Sequence, residues 1–414
     1  MDDQSSMTAA GEVRQHQVWL EGERTLILES VDEDSEETLA LARWMASHPE
    51  PALEEHEASA RYRSYLEARG FRVRLCAAGL ETAFIASWGS GEAPFRAALL
   101  AEMDALPEIG HACGHNLSGP ASLLAAAAVS RVLPKDALQI DVVGCPAEEL
   151  GIGKLRLVEA GVFNGIDVAM MAHASDMRRA HRLFLGNRKY EFVYHGRAAH
   201  AAAHPERGIN ALDGVVGLFV AIGQLRPQLP RDVRIHGVVS DGGGTPNVVP
   251  ERAAARIWVR ALTDEVLAEA ADRLLACARG VAQATGNELE IVQQNRCSPP
   301  MWVNAPLADV YRRQLVALGL RETSHAPDEA IGSSDITHVS RVVPTIHPNF
   351  PIGSDLELHT RAFAQAVCEP AAREGLLEAA RALALSTHEL ARRPELRAEV
   401  AAAHRDHYIV KVGE

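Results

Sequence analysis

"FRAALLAEMDALPEIGHACGHNLSGPASLLAAAAVSRVL", residues 95–133, carries three successive signals. The apolar run "FRAALLAEMDAL" ends in charged residues and reads as a buried strand. A loop follows in which "HACGH", residues 111–115, packs two histidines and a cysteine into five positions. An alanine-rich run, 116–133, then reads as a helix whose small side chains allow close approach to a sheet. Strand, loaded loop and helix in this order are the building unit of an α/β sheet.

The same unit recurs downstream. "ALQIDVVGCPAEEL", residues 137–150, is a strand running into Glu148 and Glu149. "IGKLRLVEAGVF" reads as a helix, and "IDVAMMAH" as a strand ending at His173. The alternation predicts an α/β fold with a largely parallel, doubly covered sheet. Asp104, Glu148, Glu149 and His173 all fall at or just past the C-terminal ends of predicted strands. In open α/β sheets the crevice beyond those ends is where ligands bind.

After residue 186 the pattern changes. "RKYEFVYHG", "GINALDGVVGLFVAIGQL", "RIHGVVSDGG", "ERAAARIWVRAL", "DEVLAEAADRLLACARGVAQATG" and "ELEIVQQN" read in turn as β, α, β, β, α and β. That is a ferredoxin-like unit. The remainder resumes the first pattern. We therefore expect residues 1–186 and 297–414 to form one domain, with residues 187–296 inserted as a second. Helices are expected over 37–50 and 52–70, with Gly70 as the stop of the latter.

The chain has 414 residues, 47% hydrophobic and 23% charged, a globular balance long enough for two cores. A net charge of −14 with no basic stripe argues against a duplex-binding role and against anionic membranes. No apolar run is long enough to span a bilayer. The N-terminus lacks a basic segment followed by an apolar one, so no secretory signal and a cytoplasmic location are expected. The six cysteines, Cys76, Cys113, Cys145, Cys277, Cys297 and Cys368, do not form a disulfide scaffold. Cys113 stands apart because of its neighbours. "VDEDSEET" reads as a solvated helix entry.

Thiolate and imidazole are good ligands for zinc and related divalent ions. In "CGH" the glycine frees the backbone, so that Cys113 and His115 can turn toward one point. With Glu149, His173 and His359 of "LHT", they would suit two metal ions sharing a water. Paired glutamates are more often a solvated helix start, and a histidine after an apolar strand is more often a hydrogen-bonded core residue. That bland reading is preferred for His204 and His325 and stays open for His111 and His347. The joint convergence of Cys113, His115, Glu149, His173 and His359 argues against it for that set. Two other readings stand beside the metal site. Cys113 could be the nucleophile of a thiol hydrolase, which would leave the glutamate pair and His359 unexplained. The chain could also be a metal-free, non-catalytic binding module.

The stretches "AEMDALPEIGHACGHNLSG", "CPAEELGIGK", "VAMMAHASD", "GRAAHAAAHPERGINALD", "GGTPNVVPERAAARIWVRA" and "GSSDITHVSRVVPTIHP" span most of the chain. Together they resemble the aminoacylase and carboxypeptidase-G group of metallo-amidohydrolases. The similarity is to the branch of p-aminobenzoyl-glutamate hydrolase, indole-acetyl amino acid hydrolases and the aminoacylase-like dipeptidase. The resemblance implies a zinc-peptidase-like domain with a ferredoxin-like lid, and a pair of zinc or manganese ions per subunit. Their ligands would be Cys113, His115, Glu149, His173 and His359. It implies Glu148 as general base, Asp104 as an acid orienting the ligands, and His200 as a lid residue polarising the substrate carbonyl. Asn247 and Arg260 would bind substrate. The implied substrate is a small N-acyl amino acid, an aminobenzoyl-glutamate-type compound or a dipeptide, cleaved at its amide bond by a metal-activated water. A homodimer formed through the lid is implied as well. Asn116 departs from the aspartate common in relatives, and Glu102 stands where distant relatives place a histidine ligand.

Overall fold

The computed structural model describes residues 3–75, 78–294, 297–324 and 331–412, without the side chains of 3–19 and 408–412. Cys76 and His325 lie outside the described residues. The chain divides into two compact units. One comprises Met1–Arg182, Trp302–Glu329 and His338–Glu414; the other comprises Leu183–Met301 and Ala330–Thr337. The short segment at the end of the second unit is one that the sequence reading assigns to the resumed first domain.

The first unit is built on a six-stranded mixed sheet. Its order is Arg72–Leu75, Phe84–Trp88, Gln139–Cys145, Arg96–Glu102, Val168–Met170 and Thr345–Ile346. The last four run parallel, and the first two add an antiparallel hairpin at one edge. Arg96–Glu102 and Gln139–Cys145 are buried along almost their whole length. Continuous apolar sequence is what a parallel strand covered on both faces requires.

Behind this sheet the helix His115–Val132 is buried on every side from His115 to Val129. It packs against the strand Arg96–Glu102 and between the long helices Asp3–Ser47 and Pro370–Arg392. Closeness is set at Gly119, where a Cβ would lie 2.1 Å from Tyr62 Oη and 2.4 Å from the Glu102 carbonyl oxygen. Gly119→Ala is therefore expected to destabilise the fold by about 1–3 kcal/mol through overpacking. Gly223→Ala, with nothing within 4 Å of the added methyl, is the control expected to leave the urea midpoint unchanged or raise it.

The structure departs from the sequence reading at 166–173. The sheet strand stops at Met170, and His173 begins a second short strand, His173–Ser175, paired in parallel with Asn349–Pro351. His173 is thus placed by the second strand and not by the end of the first. The N-terminal helix also begins far earlier than expected, at Asp3.

The second unit has the order Gly186–His195, Ala211–Leu225, Arg234–Asp241, Arg252–Ala261, Asp264–Thr285 and Glu288–Gln293. Its four strands lie Glu288–Gln293, Gly186–His195, Arg252–Ala261, Arg234–Asp241, all antiparallel, which is the ferredoxin-like arrangement. Its helices start on side-chain caps. Asn210 accepts the Leu212 N–H and Thr263 accepts the Val266 N–H. Gly286, at φ 72°, closes the second of them. Among the described residues no helix is long and apolar enough to cross a membrane.

Candidate metal centre

The strand Arg96–Glu102 ends on Glu102, and Asp104 follows two residues later. The loop then returns to Gly114, which at φ 85° starts the helix whose first residue is His115. A Cβ at Gly114 would lie 2.6 Å from the Ala174 Cβ. Only glycine fits between Cys113 and His115, so the spacing of this candidate ligand pair follows from packing against the strand that carries His173.

Each imidazole is oriented by its other nitrogen. His115 Nδ1 donates to the Asp104 carbonyl oxygen at 2.7 Å, and His173 Nδ1 donates to the Ala174 carbonyl oxygen at 2.8 Å. With Nδ1 given to a carbonyl in both rings, Nε2 is the nitrogen that faces inward, as in histidines that ligate metals. His173 Nε2 lies 3.7 Å from Cys113 Sγ. His115 Nε2 lies 3.4 Å from Glu102 Oε2 and 4.0 Å from Glu148 Oε2. His359 comes from the C-terminal part of the chain and points its Nε2 to within 3.5 Å of Glu149 Oε2. It holds a left-handed backbone at φ 64°, a conformation costing a non-glycine residue about 1–3 kcal/mol, while its N–H donates to the Ala112 carbonyl at 2.9 Å. Asp104 Oδ2 accepts the Glu149 N–H at 2.9 Å, tying the two strand-end loops together.

Within the first unit three groupings result, each with its ligand atoms within 4.8 Å of one another: Cys113, His115 and His173; Cys113, Glu149 and His359; His115, Glu148 and Glu149. All five sequence-predicted ligands and Glu148 are brought together. His111 is buried nearby, yet belongs to none of the groupings found among the described residues.

The donor set fits a divalent cation. Glu102 Oε2, Asp104 Oδ1, His115 Nε2 and Glu149 Oε1 are buried with no hydrogen-bond partner. Buried polar atoms left this way are costly, and a cation between them would satisfy several at once. The electrostatics agree. Burial disfavours charge on His115, but Glu102, Cys113 and Asp104 outweigh it and hold its pKa well above the ordinary value. Burial also raises Glu149, and it lowers His173 to about 4. The centre is rich in acidic groups and short of positive charge.

Burial pushes the Cys113 thiol up. A nucleophilic cysteine needs the opposite, a lowered pKa with solvent access, so the thiol-hydrolase reading loses support. A raised thiol also has a consequence for metal uptake. The metal-free thiol holds its proton at neutral pH, and a cation bound by Cys113 would have to displace it. Metal affinity is therefore expected to rise with pH, by about tenfold per unit for each proton released, as read by chelator competition between pH 6 and 8. A flat profile would remove Cys113 from the ligand set.

Two groups near the centre were not assigned a role from the sequence. Lys154 is fully buried, with Nζ 2.5 Å from Glu102 Oε1. Burial would raise Glu102, yet Lys154 and His115 hold its carboxyl well below the usual range. In "GIGKLRL" Lys154 reads as an ordinary helix-surface lysine. His347 stacks on His173, ring centroids 5.2 Å apart and planes 27° apart. A lone histidine after an apolar run gives little signal of that.

The remaining sequence candidates lie in the second unit. His200 is exposed, and its Nδ1 accepts the N–H groups of Ala202 and Ala203 at 3.3 and 3.2 Å. Its Nε2 therefore carries the proton. His200 and Asn247 are neighbours, because His200 bridges Val248 and the Ala201 N–H donates to the Asn247 carbonyl. Arg260 is at the other end of the strand Arg252–Ala261, about 25 Å along at 3.3 Å per residue. There its guanidinium donates to Ser333 Oγ at 3.0 Å, and burial lowers its pKa. The unit brings His200 to Asn247 and does not bring Arg260 to them.

Residues 98–373 match the model of peptidase family M20/M25/M40. The Xaa-Arg dipeptidase of Mus musculus is 34% identical over 385 residues, 89% of each chain. One of the p-aminobenzoyl-glutamate hydrolase chains of Escherichia coli (strain K12) is 32% identical over 291 residues, 65% of this chain and 60% of that one. The fold matches that of a dinuclear metal binding peptidase from Bacillus subtilis, with a TM-score of 0.70 at 20% identity over 87% of this chain and 99% of the other. Family match, fold and a converged set of thiol, imidazole and carboxylate groups agree: the chain belongs to peptidase family M20/M25/M40 and is a hydrolase of amide or peptide bonds.

Proposed function

We propose that this hydrolase cleaves the amide bond of a dipeptide or N-acyl amino acid at the centre described above. Dipeptides ending in arginine are the first class to test, because the Xaa-Arg dipeptidases match over most of both chains. A pair of divalent cations, zinc or manganese, held by Cys113, His115, Glu149, His173 and His359, would polarise the scissile carbonyl and bring the pKa of a water near 7 when bound. The observation that carries this reading is the set of inward-facing Nε2 and carboxylate oxygens that lack hydrogen-bond partners.

Glu148 is the general base in this proposal. Its half-buried carboxylate takes a proton from the attacking water and passes it to the leaving amine nitrogen. Asp104 holds the ligands, its carbonyl on His115 Nδ1 and its carboxylate on the Glu149 N–H. His200, with its proton on Nε2, is a donor suited to the substrate carbonyl oxygen. Asn247 would assist it, and Arg260 would bind the substrate carboxylate. Their separation within the second unit supports a homodimer in which one subunit's His200 and Asn247 serve the other's substrate. Val216, Val220, Val238 and Val239 are exposed on that unit, as an interface through it would need. A cytoplasmic location is part of the proposal, in keeping with only six cysteines in 414 residues.

Metal analysis of the purified protein, paired with hydrolysis of a panel of dipeptides and N-acyl amino acids, tests the proposal. About two equivalents of metal and chelator-sensitive cleavage are expected. Chelator-resistant cleavage would overturn the metal reading. A purified protein that holds no metal and leaves the whole panel uncleaved would favour the metal-free binding module.

A further inference from the structure

Glu55 stands at the N-cap position of the helix His56–Glu67, yet its side chain does not cap it. Glu50 does so instead, accepting the N–H groups of Glu57 and Ala58 at 3.0 and 2.8 Å. Glu55 is fully buried and turns inward. Its Oε1 accepts the Leu53 N–H at 3.0 Å and the Ala147 N–H at 2.8 Å, and its Oε2 accepts the Thr82 hydroxyl at 2.9 Å. Both backbone donors belong to residues with left-handed φ, 72° at Leu53 and 56° at Ala147. Neither is glycine, so neither conformation is favoured locally. Ala147 immediately precedes Glu148 and Glu149. Its backbone therefore decides where both carboxylates point.

We propose that Glu55 is a positioning residue that holds Ala147 in the left-handed conformation and so aims Glu148 and Glu149 into the centre. The inference rests on the roles proposed for those two residues. Two further ties act on the same turn: Asp104 Oδ2 on the Glu149 N–H, and the Gly151 N–H on the Glu148 carbonyl at 2.7 Å. Those act after Glu148, and Glu55 acts before it, so the base is anchored from both sides. A misplacement of about 1 Å at a reacting group can cost about 100-fold in rate, which is why such an anchor matters. What Glu55 contributes is an acceptor at the right reach, and its charge is incidental.

That distinction makes the test. Glu55→Gln keeps an oxygen for the two N–H groups and turns its amide toward the Thr82 hydroxyl. Glu55→Asp keeps the charge and loses the reach. On the metal-loaded enzyme, Gln is expected to keep kcat within about threefold, while Asp loses about 10- to 100-fold in kcat with KM within about twofold. Metal release to a chelator, measured without substrate, is expected to quicken in the Asp variant and not in the Gln variant. Adding Ala147→Gly to Glu55→Asp should restore much of the loss, because glycine adopts positive φ unaided. Wild-type kcat or metal release in Glu55→Asp overturns the proposal, as does a Gln variant as impaired as the Asp one, or no recovery with Ala147→Gly. If Glu55→Asp does not fold, Thr82→Val replaces it, with an expected fall in kcat of about 3- to 10-fold whose absence overturns the proposal. Glu148→Gln is assayed alongside. Turnover surviving in that variant sinks the assignment of the base, whereas an inactive Glu148→Gln with a wild-type-like Glu55→Asp sinks only the role of Glu55.

Discussion

Glu148→Gln is expected to lower kcat by about 10²- to 10⁴-fold while metal content stays at the wild-type level. The amide keeps the shape of the carboxylate and cannot accept a proton. Glu148 Oε2 lies 4.0 Å from His115 Nε2, at the margin of the ligand cluster, where Glu149 lies against His359. The two neighbours should therefore separate experimentally. Glu149→Gln is expected to lose metal, and Glu148→Gln to lose turnover alone. Parallel metal analysis and steady-state kinetics on the two variants check this. Equal metal loss in both would mean that the pair binds as one unit and that the proton acceptor is elsewhere.

The second large effect is on stability. Lys154→Met should destabilise the metal-free protein by about 3–5 kcal/mol, the range found when one partner of a buried ion pair is removed. Both side chains of the Lys154–Glu102 pair are fully buried, and Glu102 Oε2 already lacks a hydrogen bond. Without the ammonium, Glu102 would keep an uncompensated charge in the core or take up a proton. Adding Glu102→Gln to Lys154→Met is then expected to recover much of the loss, because the carboxylate is gone as well. Urea unfolding of the two single variants and the double variant gives the coupling. Additive effects would show that the short contact contributes little.

The sequence showed the α/β alternation, the ferredoxin-like unit and the clustering of donors at strand ends, because each rests on local periodicity or spacing. The loop from His111 to His115 was legible for the same reason. Lys154, Glu55 and the stacking of His347 on His173 were not. Each depends on a partner about 50 to 175 residues away, as with Glu102 for Lys154 and Ala147 for Glu55. In sequence a buried lysine looks like a surface one, and a glutamate before a helix looks like a cap. The break in the strand before His173 was hidden too, since "IDVAMMAH" is apolar throughout. Only the pairing of His173–Ser175 with Asn349–Pro351 reveals it.

That pairing has a consequence for how the protein is made. Synthesis delivers Cys113, His115, Glu149 and His173 first, then the whole of Leu183–Met301, and only afterwards Asn349–Pro351 and His359. The inserted unit is almost contiguous and can mature on the ribosome, while its host waits for a distant tail to finish its sheet. On the ligand set proposed above, cation capture would belong to the last stage of biogenesis, and a chain stopped short of residue 345 would leave the ribosome with an open sheet edge and without His359.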